Sequence, residues 1–331
     1  MPAPSMRSLA RLAGVSAMTV SMALRNHPRV ASVTKERIQR LARDHGYTPE
    51  PEVTKLMRYL RLRRGTRIKP ALCALVSRGH LHEYGQLIAR SARQRAASLG
   101  YNLDRVYVDD YLAHMRRLPG VLRSRGIEGV LLMPMGESTQ SVASVDWSDF
   151  SLVATSYSLL NLPAHHVVPH QFSNCIRACS ELTRLGYRRI GLVLTRGHDV
   201  RVHHHYAAAL AWHNVNAPEP VHPLICEALA SSAMRSWFER EKPDAILSAG
   251  DDQVFEITRL LSAKQVRKIR LVSMSLSRNS QAMGIDERPE EVGARAIDLL
   301  ANMILRGEKG IPEPPIAIMV EGAWSAGRPV I

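Results

Sequence analysis

Two groups of histidines stand out for their chemistry: His165, His166 and His170, and then the run His203, His204 and His205. Imidazoles this close together raise the question of a metal centre. A zinc site needs ligands that converge on one point. Three adjacent residues of a helix point in directions about 100° apart, so the second run, read as helical, holds no metal. Both groups are expected to line a surface or a cleft. The four cysteines, Cys73, Cys175, Cys179 and Cys226, form no CxxC pair. Cys175 and Cys179 stand four apart in a helical pattern, which points to packing. The stretch GDD at 250–252 offers two carboxylates after an apolar run. In an α/β cleft these read as ligand binders, because a carboxylate accepts two hydroxyl hydrogen bonds at once. No GxGxxG, GxxxxGK[ST] or GxSxG motif occurs, and no triad or acid–base pair is ordered. The expectation is a chain with no catalytic residue, no metal ligand and no cofactor.

A different chemistry lies in AGVSAMTVSMALRN, residues 13–26. Gly14 suits a tight turn, and Ser16 is a good cap for a helix reaching about Leu24. Val20, Ala23 and Leu24 would pack inward. Ala17, Met18 and Met22 fall on the face left outside. Before this helix, Leu9, Ala10, Leu12 and Ala13 fall on one side of a short helix, and Val15 plugs the turn. After it, Asn26, His27 and Pro28 break the chain. A third helix starts near Ser32 or Thr34, buries Ile38, Leu41 and Ala42, and ends at Gly46. Helix, tight turn, helix, loop, helix is the pattern of a helix-turn-helix domain.

Charge points the same way. Residues 1–69 hold fifteen Lys/Arg against four Asp/Glu, so eleven of the fourteen net positive charges lie there. A basic head on a nearly neutral body calls for a polyanionic partner. No apolar run approaches 18 residues, so no membrane span is expected. The N-terminal stretch lacks the apolar core of a secretory signal. Together with the cysteine usage, this points to the cytoplasm.

LARLAGVSAMTVSMALRN followed by VTKERIQRLARDHGYTP resembles the N-terminal domain of the lactose/galactose repressor (LacI/GalR) family. The residues that carry the resemblance are Leu9, Ala10, Ala13, Gly14, Val15, Ser16, Thr19, Val20, Ser21, Leu24, Thr34, Ile38, Leu41, Gly46, Tyr47 and Pro49. The resemblance implies that the second helix enters the major groove and that Ala17, Met18 and Met22 are its base readers. Ser16, Thr19, Ser21 and Arg25 would contact phosphates or adjacent bases. Methyl and thioether groups cannot pair with purine edges but can pack on thymine methyls. Core packing of Met18 or Met22 is the alternative.

Residues 47–69 open with two prolines and continue in a helical period through Val53, Leu56, Leu60 and Leu62. By the resemblance this is a hinge helix that folds against DNA, with Leu56 as a minor-groove wedge and Lys55 and Arg58 beside it. An apolar wedge unstacks a base step and kinks the duplex. A solvated tether is the alternative.

From Ala71 the texture changes to apolar strands alternating with amphipathic helices, which implies parallel sheets covered on both faces. Strands are expected at 71–77, 101–108, 129–134, 151–156, 190–195, 245–250 and 269–275. Helices are expected at 84–99, 171–186, 227–241, 252–264 and 289–306. The stretches RGIEGVLLMP, LTRLGYRRIGLVL, PDAILSAGDD, GIDERPEEVGARAIDLL and VEGAWSAGRPV resemble the family's effector domain, a body like type I periplasmic binding proteins. The expected organisation is thus a helix-turn-helix head over 1–48, a basic hinge over 49–69, and an α/β body over 70–331. That body would hold two parallel subdomains, with crossovers near Val168, Ile285 and Ile316.

The resemblance implies an effector site at Asp251, Arg201, His170, Tyr157 and His82. His170 and Gln171 stand where the family usually has Asp-Asn, and Arg201 is one position out of register. The ligand is then sugar-like, a different compound, or the pocket is vestigial. The whole reads as a regulator, most simply a repressor, that binds a pseudo-palindromic operator in duplex DNA as a homodimer. A solute-binding protein and a sugar-acting α/β enzyme are the alternatives.

Overall fold

The computed structural model describes residues 5–24, 30–45, 47, 71–80, 82–135, 142–159 and 161–327. Arg25, Lys55, Leu56 and Arg58 lie outside the described residues, as do the expected hinge and Gly46.

The head is three helices, α1 (Met6–Ala13), α2 (Ala17–Leu24) and α3 (Ser32–Asp44). They close over Leu9, Ala10, Ala13, Val20, Ala23, Val30, Ile38 and Ala42, with Val15, Leu24 and Leu41 packed at the rim. Leu12 departs from the expected apolar side of α1: it is exposed. One helical turn around α1 already supplies Leu9, Ala10 and Ala13 to the core, and Leu12 falls outside that arc.

The body holds two six-stranded sheets. The first has the order β11-β5-β4-β3-β1-β2, the second β12-β10-β9-β8-β6-β7. The first comprises β1 (Ala71–Val76), β2 (Asn102–Tyr107), β3 (Ile127–Leu132), β4 (Ser151–Ala154), β5 (His165–Pro169) and β11 (Ala317–Val320). The second comprises β6 (Ile190–Thr195), β7 (Leu224–Cys226), β8 (Ala245–Ser248), β9 (Arg270–Ser273), β10 (Met283–Asp286) and β12 (Ala323–Ser325). All pairings are parallel except β10 with β12. Central strands are buried along their whole length, as β1 and β4 are. Their unbroken apolar runs follow from helices lying on both faces.

The helices of the body are α4 (Glu83–Ser98), α5 (Leu118–Ser124), α6 (Gln171–Arg184), α7 (Arg196–Arg201), α8 (His205–Asn216), α9 (Ser231–Glu241), α10 (Asp251–Leu260), α11 (Ala263–Val266) and α12 (Pro289–Arg306). On one face of the first sheet, α4 and α12 pack through Ile88, Ala92, Ala96, Val292 and Leu300. Gly293 makes this approach possible: a Cβ there would stand 2.4 Å from the Ile88 carbonyl oxygen. The other face is covered by Leu118, Leu122, Trp147 and Phe150. In the second sheet, α6 and α8 cover one face through Cys175, Cys179, Tyr206 and Leu210. The opposite face carries Met234, Trp237 and Ile257. Cys175 and Cys179 are thus buried free thiols within the core.

The chain leaves the first sheet after Pro169, returns to it through α12 after Asp286, and crosses again between Val320 and Ala323. Three segments therefore join the lobes. Strands β5, β7, β10, β11 and β12 and helices α7 and α8 extend the pattern expected from sequence. The histidine run differs from expectation. His203 and His204 have positive φ, 51° and 59°, and only His205 begins a helix. Buried Asp199 braces this turn, its Oδ2 lying 2.6 Å from His204 Nδ1 and its carbonyl accepting the His204 N–H at 2.9 Å.

Candidate nucleic-acid interface and ligand cleft

The head is built to hold α2 outward. Ser5 and Ser8 form a reciprocal box that starts α1. Gly14, at φ 64°, ends it in the left-handed region. Val15 N–H then donates to the Ala10 carbonyl. The Ser16 hydroxyl accepts the Thr19 N–H at 3.0 Å and bonds the Thr19 hydroxyl at 2.9 Å, so it caps α2 as its type suggests. From α3, Arg37 Nη2 donates to the Ala13 carbonyl at 2.8 Å and Gln39 Nε2 to the Ala23 carbonyl at 3.1 Å. These bonds fix the angle of α2 against its neighbours.

On the outer face of α2, Met18 is 60% exposed. Ala17 and Met22 are half-buried and pack against the head's core. The two methionines are therefore unequal: Met18 stands free, while Met22 shares its surface with the interior. Ser16 is exposed, and Thr19 and Ser21 are half-buried. On α1 and α3, Arg11, Arg40 and Arg43 are exposed cations.

The second constellation lies at the carboxyl ends of the strands, where open α/β sheets bind ligands. Adjacent strands β6, β8, β9 and β10 deliver Arg201 and His198, Asp251, Ser275 and Ser277, and Glu287 to one edge of the second sheet. Asp251 Oδ2 accepts from Ser277 N–H at 3.0 Å and from its hydroxyl at 2.6 Å. Its Oδ1 is buried without a partner. Burial pushes this carboxyl up, but hydrogen bonds from Ser277 and neighbouring serines outweigh it and hold Asp251 below the usual carboxylate range.

Arg201 Nη2 donates to His198 Nδ1 at 2.7 Å. Burial, with the Arg201 charge beside it, drives His198 down to about 3. The ring is therefore neutral, its Nδ1 lone pair is taken, and its buried Nε2 carries a proton without an acceptor. The His198 ring lies parallel to the Tyr206 ring at 6.1 Å. The Tyr206 hydroxyl donates to Glu287 Oε1 at 3.1 Å. Burial raises Glu287 to about 7, against the opposing pull of hydrogen bonds from Ser275 and Tyr206 and of the Arg201 charge. From the first lobe, the Tyr84 hydroxyl is buried, unpartnered and within the field of Glu287. Beside it, Glu83 Oε1 accepts the Arg278 N–H at 3.2 Å, a bond between the lobes.

The other expected contacts are His170, His82 and Tyr157. His170 caps α6, its Nδ1 accepting Ser173 N–H at 3.3 Å. Its neighbour Gln171 holds a buried Oε1 without a partner. His82 is exposed at the cap position of α4. Tyr157 is buried, stacked on His203 with ring centroids 4.4 Å apart and near His166 and His205. Thus Arg201 and Asp251 share the edge of the second sheet, while His170, His82 and Tyr157 stand at helix caps and in an imidazole stack. Tyr84, Tyr206 and Glu287 escaped the sequence reading. GIDE at 284–287, an acidic pair ending a strand where the chain changes sheets, is a signal for Glu287 alone; Tyr84 and Tyr206 carry none. Among the described residues no group of His, Cys, Asp and Glu could hold a metal ion, and no helix is long and apolar enough to cross a membrane.

Residues 5–50 match the family described as bacterial regulatory proteins, lacI family. The chain is 22% identical over 192 residues to the HTH-type transcriptional regulator DegA of Bacillus subtilis (strain 168), covering 57% of this chain and 54% of that one. The chain therefore spans about half the length of this curated relative. Among solved structures, a transcriptional regulator CelR–cellobiose complex superposes with a TM-score of 0.59 at 18% identity, over 98% of this chain and 99% of the other. The lac repressor dimer bound to operator and the anti-inducer ONPF gives 0.55 at 15% identity, over 97% of each chain. At these identities the structural likeness establishes the fold: a helix-turn-helix head on a body of two parallel α/β lobes.

Proposed function

We infer that this chain, whose head is that of the lacI family of bacterial regulatory proteins, is a sequence-specific DNA-binding transcriptional regulator whose operator affinity is set by a small ligand in the body's cleft. The observation that carries the reading is the outward helix α2. It is capped by Ser16, held by Arg37 and Gln39, and set in a segment rich in positive charge. A helix presented in this way reads base edges in the major groove with its N-terminal residues, while surrounding polar and basic groups hold phosphates. In this reading Ala17, Met18 and Met22 face bases. Ser16, Thr19, Ser21 and Arg25 steady the backbone contacts. Lys55, Leu56 and Arg58 belong to a hinge over 49–69 that joins the head to the body.

The ligand reading rests on the unpartnered polar atoms of Asp251, His198 and Tyr84 at the lobe junction. The cellobiose in the CelR complex supports a sugar-like effector. Of the five expected contacts, Asp251 and Arg201 are the two the reading retains at the ligand itself. Such a ligand shifts DNA affinity only through different affinities for two lobe arrangements. The chain acts as a homodimer on two half-sites in the cytoplasm, represses by occupying its operator, and is not an enzyme.

The experiment is selection of bound duplexes from a random pool by the full chain, with and without a panel of mono- and disaccharides. A pseudo-palindromic sequence should be enriched, and one or more sugars should release it. A pool that shows no enrichment would overturn the reading.

A further inference from the structure

We propose that the packing of Tyr157 against His203 and His205 is an acid-sensitive clasp between the two lobes, closed while its imidazoles are neutral and parted when they take up protons. The proposal goes beyond the regulator reading and does not depend on it.

The rings meet across the lobe junction. Tyr157 belongs to the first lobe: it follows β4 of the first sheet, and its neighbour Ser158 accepts the Met135 N–H at 3.1 Å. His203 and His205 belong to the second lobe, in the turn after α7 and at the start of α8. The Tyr157 and His203 rings stack with centroids 4.4 Å apart, and His205 meets Tyr157 edge-on at 5.7 Å. Both are favoured aromatic geometries. From its own lobe, His166 of β5 lies against Tyr157 at 5.1 Å. One phenol ring thus gathers three imidazoles, two of them from the other lobe. The turn that delivers His203 is strained. His203 and His204 both hold left-handed backbone, and Asp199 braces them through His204. Strain of this kind persists only where the surroundings fix it.

This contact has no place for added charge. His205 Nδ1 is buried without a partner, so an imidazolium there has an N–H with no acceptor. A single imidazolium against the Tyr157 face gains a cation–π contact. The His203 and His205 rings are 6.2 Å apart, so a second charge repels the first. The nearby carboxylates are engaged elsewhere: Asp199 with His204, Glu321 with Ser173 and Arg177 on α6, and Glu308 with Arg306. The Arg201 cation of α7 is turned to His198. Burial, then His203 and His165, holds His166 below the ordinary imidazole value, against a bond to the Ala164 carbonyl. Burial, then His203, His170 and His204, does the same to His205. Burial raises the Tyr157 hydroxyl, so that ring stays neutral. The closed arrangement therefore binds fewer protons than one in which these rings meet water. By linkage, falling pH favours the parted lobes.

The test uses the full chain with protons as the only probe. Small-angle scattering follows the radius of gyration between about pH 8 and about pH 5, the range in which imidazoles charge. Circular dichroism follows helix content in the same samples. The parent should expand as pH falls, with its midpoint below the ordinary imidazole value of 6.5 and its helix content unchanged. His205→Phe keeps a ring beside Tyr157 but cannot charge, so its midpoint should move to lower pH. Tyr157→Ala removes the centre of the clasp and should be expanded at both ends of the range. A parent whose dimensions do not change with pH would overturn the clasp. So would an expansion that comes with loss of helix, which is unfolding, or a midpoint unmoved by His205→Phe. A folded Tyr157→Ala chain as compact as the parent at the upper pH would do the same. If Tyr157→Ala does not fold, the midpoint of His205→Phe decides alone. None of these measurements involves DNA or a sugar, so the clasp and the regulator reading can fail separately.

Discussion

At the scale of single residues, the proposal that α2 reads base edges gives its two methionines, one exposed and one packed on the head's core, different parts. Met18 is free to follow a thymine methyl, because its thioether chain is flexible and apolar. Met22, packed against the head's core, presents only part of its side chain and is held in place by that packing. Replacing a contacted thymine by uracil removes one methyl. The expected loss is of order 1 kcal/mol, about the value of one buried CH₂. In binding assays on substituted duplexes, Met18→Ala should abolish that sensitivity at its own position. Met22→Ala should also lower the head's melting temperature, a cost expected only where the side chain is part of the core. Tolerance of uracil at every half-site position would remove thymine reading from the account. In the cleft, Asp251 holds Ser277 with one oxygen and leaves the other unpartnered. Asp251→Ala should leave operator affinity intact while abolishing the response to an inducing sugar. An unchanged response in a titration of DNA release would move the ligand elsewhere.

At the scale of elements, most of the head was legible in the sequence because its signals are local. A glycine able to take positive φ, a serine cap and apolar residues one turn apart place α1, α2 and α3 without reference to the rest of the chain. Leu12 misled because an apolar residue on a short helix need not face the core when smaller neighbours already fill it. In the body, long apolar strands such as β1, β3 and β6 were equally plain. β7 and β12 were not, being three residues each and half-buried. β5 begins with two histidines that look like loop or ligand residues. The turn at His203 and His204 was read as helix, because only the brace from Asp199 makes left-handed backbone tolerable there. Glu287 and Tyr84 lie about two hundred residues apart in the chain, and no local pattern unites them. At this scale the hinge prediction concerns Leu56. Leu56→Ala should reduce operator bending in a permutation gel assay and weaken specific binding by a few kcal/mol at most, the order of one unstacking contact. Unchanged bending with unchanged affinity would make the segment a plain tether.

At the scale of the whole molecule, stability and association both follow from charge. Glu287 ionises near 7 when folded, against an ordinary value of 4.5. Its contribution to stability is therefore full below the ordinary value and is lost as pH rises through about 7. The lost contribution is about 3 kcal/mol. His198 is held neutral and works in the opposite direction at acid pH, so the Glu287 part is read by comparison. Glu287→Gln should melt close to the parent near pH 5 and above it at pH 8 by calorimetry. Melting curves that run parallel at both pH values would contradict the assignment.

The central claim is that the basic head is a phosphate-binding surface that delivers α2 to duplex DNA. Fifteen cations in residues 1–69 make it testable by salt alone. If a dimer neutralises roughly eight phosphates, the logarithm of its affinity for the enriched duplex should fall with the logarithm of salt concentration at a slope near −7. A slope shallower than about −2 would mean that those charges do not meet the DNA backbone, and the account of the head as a nucleic-acid interface would be contradicted.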